Sequence, residues 1–338
     1  MTREKGSLRW RNPVCRAQTD TRTAMLHYVA SRFGQALFVL WAAFTVSFIL
    51  LQAMPGDAIM IKFQNPDLGL SPEQIAAIRA SYGADSPLWQ QYLHAIGNIM
   101  TGNLGYSIQD GVPVSEQLAT NLPVTLRLTA LSFLLAVIFA LAIAFAAHLT
   151  EWAWLRSTLA ALPALFTSIP SFWLGIILIQ IVSFRLKLIP VINPGEWQGL
   201  ILPVLTVAVP ISAPLAQILL RSIDDVKAQP FVAVARAKGA SHSRVLWRHI
   251  ARNAILPALT IAGILLGRLL VTAIVTETVF GLDGLGTLTA KAVLNEDTSV
   301  LQAIVLLSAL AFVLINLLVD VIFPLLDPRL GRKIGATP

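Results

Sequence analysis

Six apolar stretches, at about 33–53, 124–147, 159–184, 200–220, 258–279 and 300–323, alternate with polar connections along the chain. Each is long enough to cross about 30 Å of hydrocarbon as a helix. Backbone in hydrocarbon has no water to bond, so each stretch must close its own hydrogen bonds. The pattern predicts an all-α integral membrane protein, a polytopic bundle of six helices. Composition agrees: 13% of residues are charged and the mean hydropathy is +0.70. A soluble domain carries about a quarter charged residues, and half of that is too little polar surface to cover a water-soluble particle.

Prolines fall inside two of the spans. The third holds Pro163 and Pro170, and the fourth holds Pro203, Pro210 and Pro214. Membrane helices tolerate proline where neighbours re-satisfy the freed carbonyls. The fourth span, with three, is the one expected to kink or break.

Orientation follows from Lys and Arg in the connections. Seven lie between the N-terminus and Arg32, and seven more from Arg221 to Arg252, with Arg329, Arg332 and Lys333 at the C-terminus. Residues 55–120 hold only Lys62 and Arg79, and 280–299 only Lys291. Both termini are therefore expected in the cytoplasm, against the dissent of Arg185 and Lys187. The layout is a tail 1–32, a first span 33–54, an outer loop 55–121, a core 122–325 with an inner loop 221–257, and a tail 326–338. Residues 1–24 are polar and basic with no secretory-signal pattern, and read as a disordered cytoplasmic tail. Met25 is an alternative start, since the regular pattern begins there.

The net charge of +7 could point to nucleic acid. The charges sit between apolar blocks, and no nucleic-acid-binding signature is present, so the partner they imply is the lipid bilayer. The single cysteine, Cys15, excludes an internal disulfide. The five histidines, His27, His94, His148, His242 and His249, show no metal-ligand spacing. No phosphate-cradling loop or G-x-S-x-G serine occurs. No cofactor, metal site or catalytic residue is expected. Ionisable candidates inside the spans are Arg127, Arg268, Glu277 and Asp320. That is few for a proton-coupled transporter, so energy for transport would come from another chain.

The outer loop carries helix signals of its own. Ser71-Pro72-Glu73-Gln74 reads as a capped helix start, closed at Tyr82-Gly83. Ser86-Pro87 opens another, with Leu88, Trp89, Tyr92, Leu93, Ile96 and Ile99 at helical spacing. This folded cap is either a lid over helix ends or a docking surface for an external partner.

The inner loop is the most informative segment. Pro230 is suited to open a helix and Gly239 to close it, and Ser241 can cap a second helix running toward Pro257. Arg236 and Lys238 sit by the C-terminus of the first helix, where its dipole favours cations. Small Ala233, Ala235, Ala237 and Ala240 permit close approach. The segment is either a solvated hairpin whose cations meet anionic lipid, or a rigid knob for a partner's groove. In the fifth span, Gly263 and Gly267 have the G-x-x-x-G spacing of a close helix contact. Arg268 beside them lies near mid-span. A charge there is expected to face the bundle interior, as a structural pair or as part of a pathway.

The 230–257 segment resembles the cytoplasmic EAA loop of ABC importer permeases, with Gly239 at the glycine and Ile255-Leu256-Pro257 near the terminal element. Ala233 stands at the acidic position, and the gap from Gly239 to Pro257 is long. Both features, with Ala235-Arg-Ala-Lys-Gly239, look like the dipeptide, oligopeptide and nickel branch. So do Met25-Leu-His-Tyr-Val-Ala-Ser-Arg32, Met54-Pro-Gly-Asp57, Tyr82-Gly-Ala-Asp85, Gly102-Asn-Leu-Gly-Tyr-Ser107, Ile169-Pro-Ser-Phe172, Glu277-Thr-Val-Phe280 and Asp327-Pro-Arg329. Gly281-Leu-Asp-Gly-Leu-Gly286 departs where relatives often have Pro in place of Asp283. The resemblance runs from Met25 over nearly the whole chain, and to the permease type with a long first outer loop.

The resemblance implies a type I ABC importer permease fold in a bacterial inner membrane. It implies partners: a second homologous permease in a heterodimer, two cytoplasmic ATP-binding subunits docked on the inner loops, and an extracytoplasmic solute-binding protein. It implies a non-catalytic subunit forming half of a pathway for a di- or oligopeptide, with nickel chelates, glutathione and opine-like compounds as alternatives. An ATP-independent channel or secondary transporter, or a membrane-embedded enzyme, are the readings of other classes. Either would work without partner chains.

Overall fold

The computed structural model describes residues 14–53, 71–74, 86–192 and 194–326, with backbone alone at 14–30, 270–271 and 319–326. Helix α1 (Val14–Ala53) carries a membrane-length apolar segment, Ser31–Gln52. It begins within the tail expected to be disordered, because residues 14–24 are helical. Once the apolar segment is helical, each upstream residue extends an existing helix, and the costly nucleation step is already made.

In the outer loop, Gln74 Oε1 accepts from the Ser71 amide at 2.8 Å, and Ser71 Oγ accepts from the Gln74 amide at 3.3 Å. That is the reciprocal cap expected from the sequence. The expected close at Tyr82-Gly83 and the segments 54–57, 82–85 and 327–329 lie outside the described residues. Helix α2 (Leu88–Met100) follows Pro87 as expected.

The core begins with α3 (Val114–Leu149), 36 residues long. At 1.5 Å per residue it spans about 54 Å, so it projects beyond the hydrocarbon. Helix α4 (Ala153–Ser168) and α5 (Ser171–Leu178, continued by a π-helical turn Ile179–Arg185) share one apolar stretch bent by 101°. Next come α6 (Gln198–Lys227), the short α7 (Pro230–Ala237), and α8 (His242–Val245), which runs through a π-helical turn Leu246–Ile250 into α9 (Ala251–Phe280). Helices α10 (Leu285–Leu294) and α11 (Thr298–Leu326) complete the described residues. Among the described residues, five helices are long and apolar enough to cross a membrane, and the α4–α5 pair makes a sixth span where its two bent halves count as one.

The broken span is therefore the third and not the fourth. Ile169 (φ −91°, ψ 117°) and Pro170 (φ −61°, ψ 134°) are extended, the conformation proline imposes on its predecessor. In α6 the same steric pressure acts at three prolines, yet the helix is continuous. Burial explains the difference. In α4 only Pro163 is buried and in α5 only Gly175, whereas α6 buries residues along its whole length from Leu200 to Val226. Packing on all sides holds α6 helical, and α4–α5 has little packing to oppose the break.

Helix α6 is the hub, packed against α3, α4, α5 and α9, while α1 lies at the edge against α11. Ala136, Ala140 and Ala144 of α3 are almost fully buried in the main core with Val207, Ala208 and Leu215 of α6. Their spacing of four makes a stripe of small residues on one face, which lets two membrane helices approach closely.

Candidate functional site

At the inner end, α7 stands between α6 and α8. Gln229 is extended and Pro230 occupies the first helical turn, where its missing N–H costs nothing. Gly239 has φ +83°, a backbone that a side chain disfavours. Its amide bonds Arg236 O at 2.9 Å and the Ala240 amide bonds Ala235 O at 3.2 Å, closing the helix. Val232 is buried among Val226, Val245 and Leu246, with Ala235 and Ala240 packed at the margin. The outer side of α7 is exposed at Ala233, Arg236, Ala237 and Lys238. Phe231 and Val234 on that side are 39% and 53% exposed. The result is a short helix with a fixed base and an apolar free surface rimmed by two cations.

Two contacts fasten this knob to the inner end of α3, to which it has no covalent link. His242 Nε2 lies 2.9 Å from His148 O. The Phe145 and Trp247 rings stack with centroids 4.4 Å apart and planes at 14°. His148 itself is buried. Its Nδ1 lies 2.7 Å from Ala144 O and its Nε2 3.0 Å from Asp224 Oδ1 at the end of α6. Each ring nitrogen faces an acceptor, so both bonds form only when both nitrogens carry a proton. Neither His148 nor His242 has metal-ligand spacing, so no local pattern marks them. Their partners are a carbonyl and a carboxylate from distant segments.

Along α9, the exposed positions Asn253, Pro257, Thr260, Ile264, Arg268, Val275 and Thr278 recur at helical spacing on one face. Arg268, expected to face the bundle interior, a pathway or the partner permease, lies on this open face, and among the described residues no carboxylate is within ion-pair distance. The opposite face of α9 meets α3, α6 and α11, so an inward Arg268 would lie in packed apolar core. Gly263 is buried. Gly267 lies against α11, where an added Cβ would come within 2.9 Å of the Phe312 ring. A cavity of about 250 Å³ opens beside it, lined by Thr125, Gly267, Ile274, Gly286 and Phe312 among others.

At the outer end, two buried carboxylates hold the turns. Glu277 Oε1 accepts from Thr125 Oγ1 at 2.6 Å, and Oε2 accepts from the Gly286 amide at 2.6 Å. Thr125 Oγ1 in turn accepts from the Leu285 amide at 2.8 Å. The carboxylate thus ties α3 to the first turn of α10. Side chains at Gly284 and Gly286 would run into the Glu277 carboxylate and the Ile274 backbone respectively. Asp297 accepts from Ser107 Oγ at 2.5 Å and from the amides of Gln109 and Val300, each at 3.3 Å. It pins the loop before α3 to the start of α11. On the lateral side, Arg127 pairs with Glu196 at the surface.

This architecture is that of a polytopic membrane protein, with the short helix α7 exposed at one end. Residues 136–332 match the family described as binding-protein-dependent transport system inner membrane component, and residues 25–129 match its N-terminal counterpart. The chain belongs to this family of ABC importer permeases, multi-pass proteins of the bacterial inner membrane. It is 35% identical over 309 residues to the glutathione transport system permease protein GsiC of Escherichia coli O6:H1, covering 91% of this chain and all of that one. It is 36% identical over the same length to GsiC of Salmonella typhimurium, again with 91% and 100% coverage. Among solved structures, the inward-facing MetNI methionine ABC transporter superposes with a TM-score of 0.53 at 18% identity, covering 63% of this chain and 97% of that one. That likeness concerns the fold.

Proposed function

We propose that this permease takes up a peptide-like solute, with α7 as the surface on which a cytoplasmic ATPase subunit docks. The observation that carries the docking is the exposed apolar side of α7, Phe231 and Val234, on a helix whose base is locked into the core. Ala233, Ala237 and Gly239 leave that side low enough for a groove to close over it, with Arg236 and Lys238 at its rim. The relatives named for glutathione transport support a small peptide-like solute. A nickel chelate or opine-like compound is the competing cargo, and competition binding to the cognate solute-binding protein separates them.

A second, homologous permease covers the open face of α9. The support is Arg268: an arginine at mid-bilayer costs roughly 2.5–3.5 kcal/mol against lipid, so its face is one that protein or a water-filled pathway covers. Gly263 and Gly267 set the opposite side of α9 close to its neighbours. The cap around α2 is the seat for the external solute-binding protein.

The test is made on the assembled importer. Ala237→Glu and Gly239→Asp each abolish solute-stimulated ATP hydrolysis while the permease stays in the membrane at wild-type amount. Normal uptake by both variants sinks the docking assignment. Arg268→Ala lowers uptake severalfold with no comparable loss of membrane protein. A structure placing its guanidinium among acyl chains would end the pathway reading.

A further inference from the structure

We propose that His148 is a positioning residue that transmits movement of α7 to α3. Helix α7 is joined by the chain only to α6 and, through α8, to α9. A displacement of α7 reaches those two spans covalently. It reaches α3 only through contacts, and the hydrogen bonds among them gather at one residue. The His148 main-chain carbonyl accepts from His242 at the start of α8, and the His148 ring ties α3, through Asp224, to the end of α6 that leads into α7. The Phe145–Trp247 stack lies beside them. Hydrogen bonds have a direction and a short reach, so this set holds α3 in register with the knob in a way that apolar contact alone would not. Helix α3 is also the span that Glu277 grips at the outer end through Thr125. A shift at α7 that is carried by His148 therefore arrives at the outer hairpin along one continuous helix.

This inference rests on α7 being the ATPase dock, and the experiment separates the two. The importer is reconstituted with both permeases, its ATPases and its solute-binding protein, and uptake and ATP hydrolysis are read together. His242→Ala, which removes the donor to the His148 carbonyl, keeps ATP hydrolysis within about twofold of wild type and lowers uptake per ATP about tenfold, within the usual range of coupling between sites; His148→Ala keeps that carbonyl, loses the ring's bond to Asp224, and lowers the ratio about threefold. Asp224→Ala removes one surface-accessible bond and lowers the ratio about threefold. Two conservative variants restore it. His242→Gln keeps a donor for the His148 carbonyl. Asp224→Asn places an amide that donates to Nε2 of the neutral ring.

A parallel fall of hydrolysis and uptake in the alanine variants, or failure of both conservative variants to restore the ratio, assigns His148 a merely structural role and overturns the proposal. So does an unchanged ratio in His148→Ala. Ala237→Glu is run alongside: if its ATPase still co-purifies and couples, the docking assignment fails whatever His148 does.

Discussion

The two ends of the bundle are held by different chemistry. At the inner end the fixed base of α7 is apolar, Val226, Val232, Val245 and Leu246, and its polar ties are imidazoles bonding to carbonyls and to a largely exposed carboxylate. At the outer end the ties are two buried carboxylates, Glu277 and Asp297, each accepting from backbone amides of a neighbouring turn. Apolar packing is non-directional and permits small displacement of one element as a body. A buried carboxylate is costly unless every bond is kept, so it fixes the geometry of the turn it serves. With α7 as the proposed docking surface, the inner end is the part suited to move as a unit, and the outer end the part suited to keep its turns.

The sharpest way to break this comparison is at Glu277. Glu277→Ala strands the Gly286 amide and leaves Thr125 without its acceptor. At about 1.5–3 kcal/mol for each of these two bonds, the permease loses about 3–6 kcal/mol. Thermal unfolding of the purified protein in detergent measures it. If Val232→Ala at the inner base costs as much, the outer turns are not specially dependent on their carboxylate and the contrast falls.

Asp297→Ala is the next in size. Its acceptor bonds are one short bond to Ser107 and two long ones to amides, and Val300 is in a first helical turn that a water can serve. The expected loss is about 2 kcal/mol. Its local signature is faster amide exchange at Gln109 and Val300, with the α7 amides unaffected. Equal acceleration at α7 would mean that the two ends are one cooperative unit.

Much of this was legible in the sequence. Apolar length gives the six spans, because crossing hydrocarbon sets a minimum run that no other constraint imitates. Pro230 and Gly239 bound α7, and Ser71 with Gln74 forms a cap, because these are local backbone effects. What failed depends on packing that no local pattern encodes. Three prolines in α6 bend into a continuous helix because α6 is buried throughout, while the two-proline stretch breaks because it is not. The face that carries Arg268 is open in a single chain, and what covers it belongs to an assembly that one sequence does not contain. The Ala136, Ala140 and Ala144 stripe has a small-residue spacing as readable as that of Gly263 and Gly267. The ties of His148 and Glu277 join residues far apart in the chain and leave no spacing to detect.

The smallest effect tests how the cap is fixed to α1. Tyr92 of α2 sits between Phe44 and Phe48, with ring centroids 5.5 and 5.4 Å away. Its hydroxyl lies 2.8 Å from Thr45 Oγ1. The Thr45 hydroxyl already donates to Trp41 O, so Tyr92 is the donor in this pair. Tyr92→Phe removes that one bond and leaves the rings in place, for a loss of about 1 kcal/mol. Tyr92→Ala removes its ring as well, and because that ring is half-buried the cost stays below the roughly 3 kcal/mol of a fully buried aromatic. Protease sensitivity of residues 88–100 in membranes reads both. A large gap between the two variants means the cap rests on α1 by aromatic contact, which places it nearer to the inner knob in kind than to the carboxylate turns beside it. Equal sensitivity would assign the hold to the hydroxyl and extend the polar chemistry of the outer end to the cap itself.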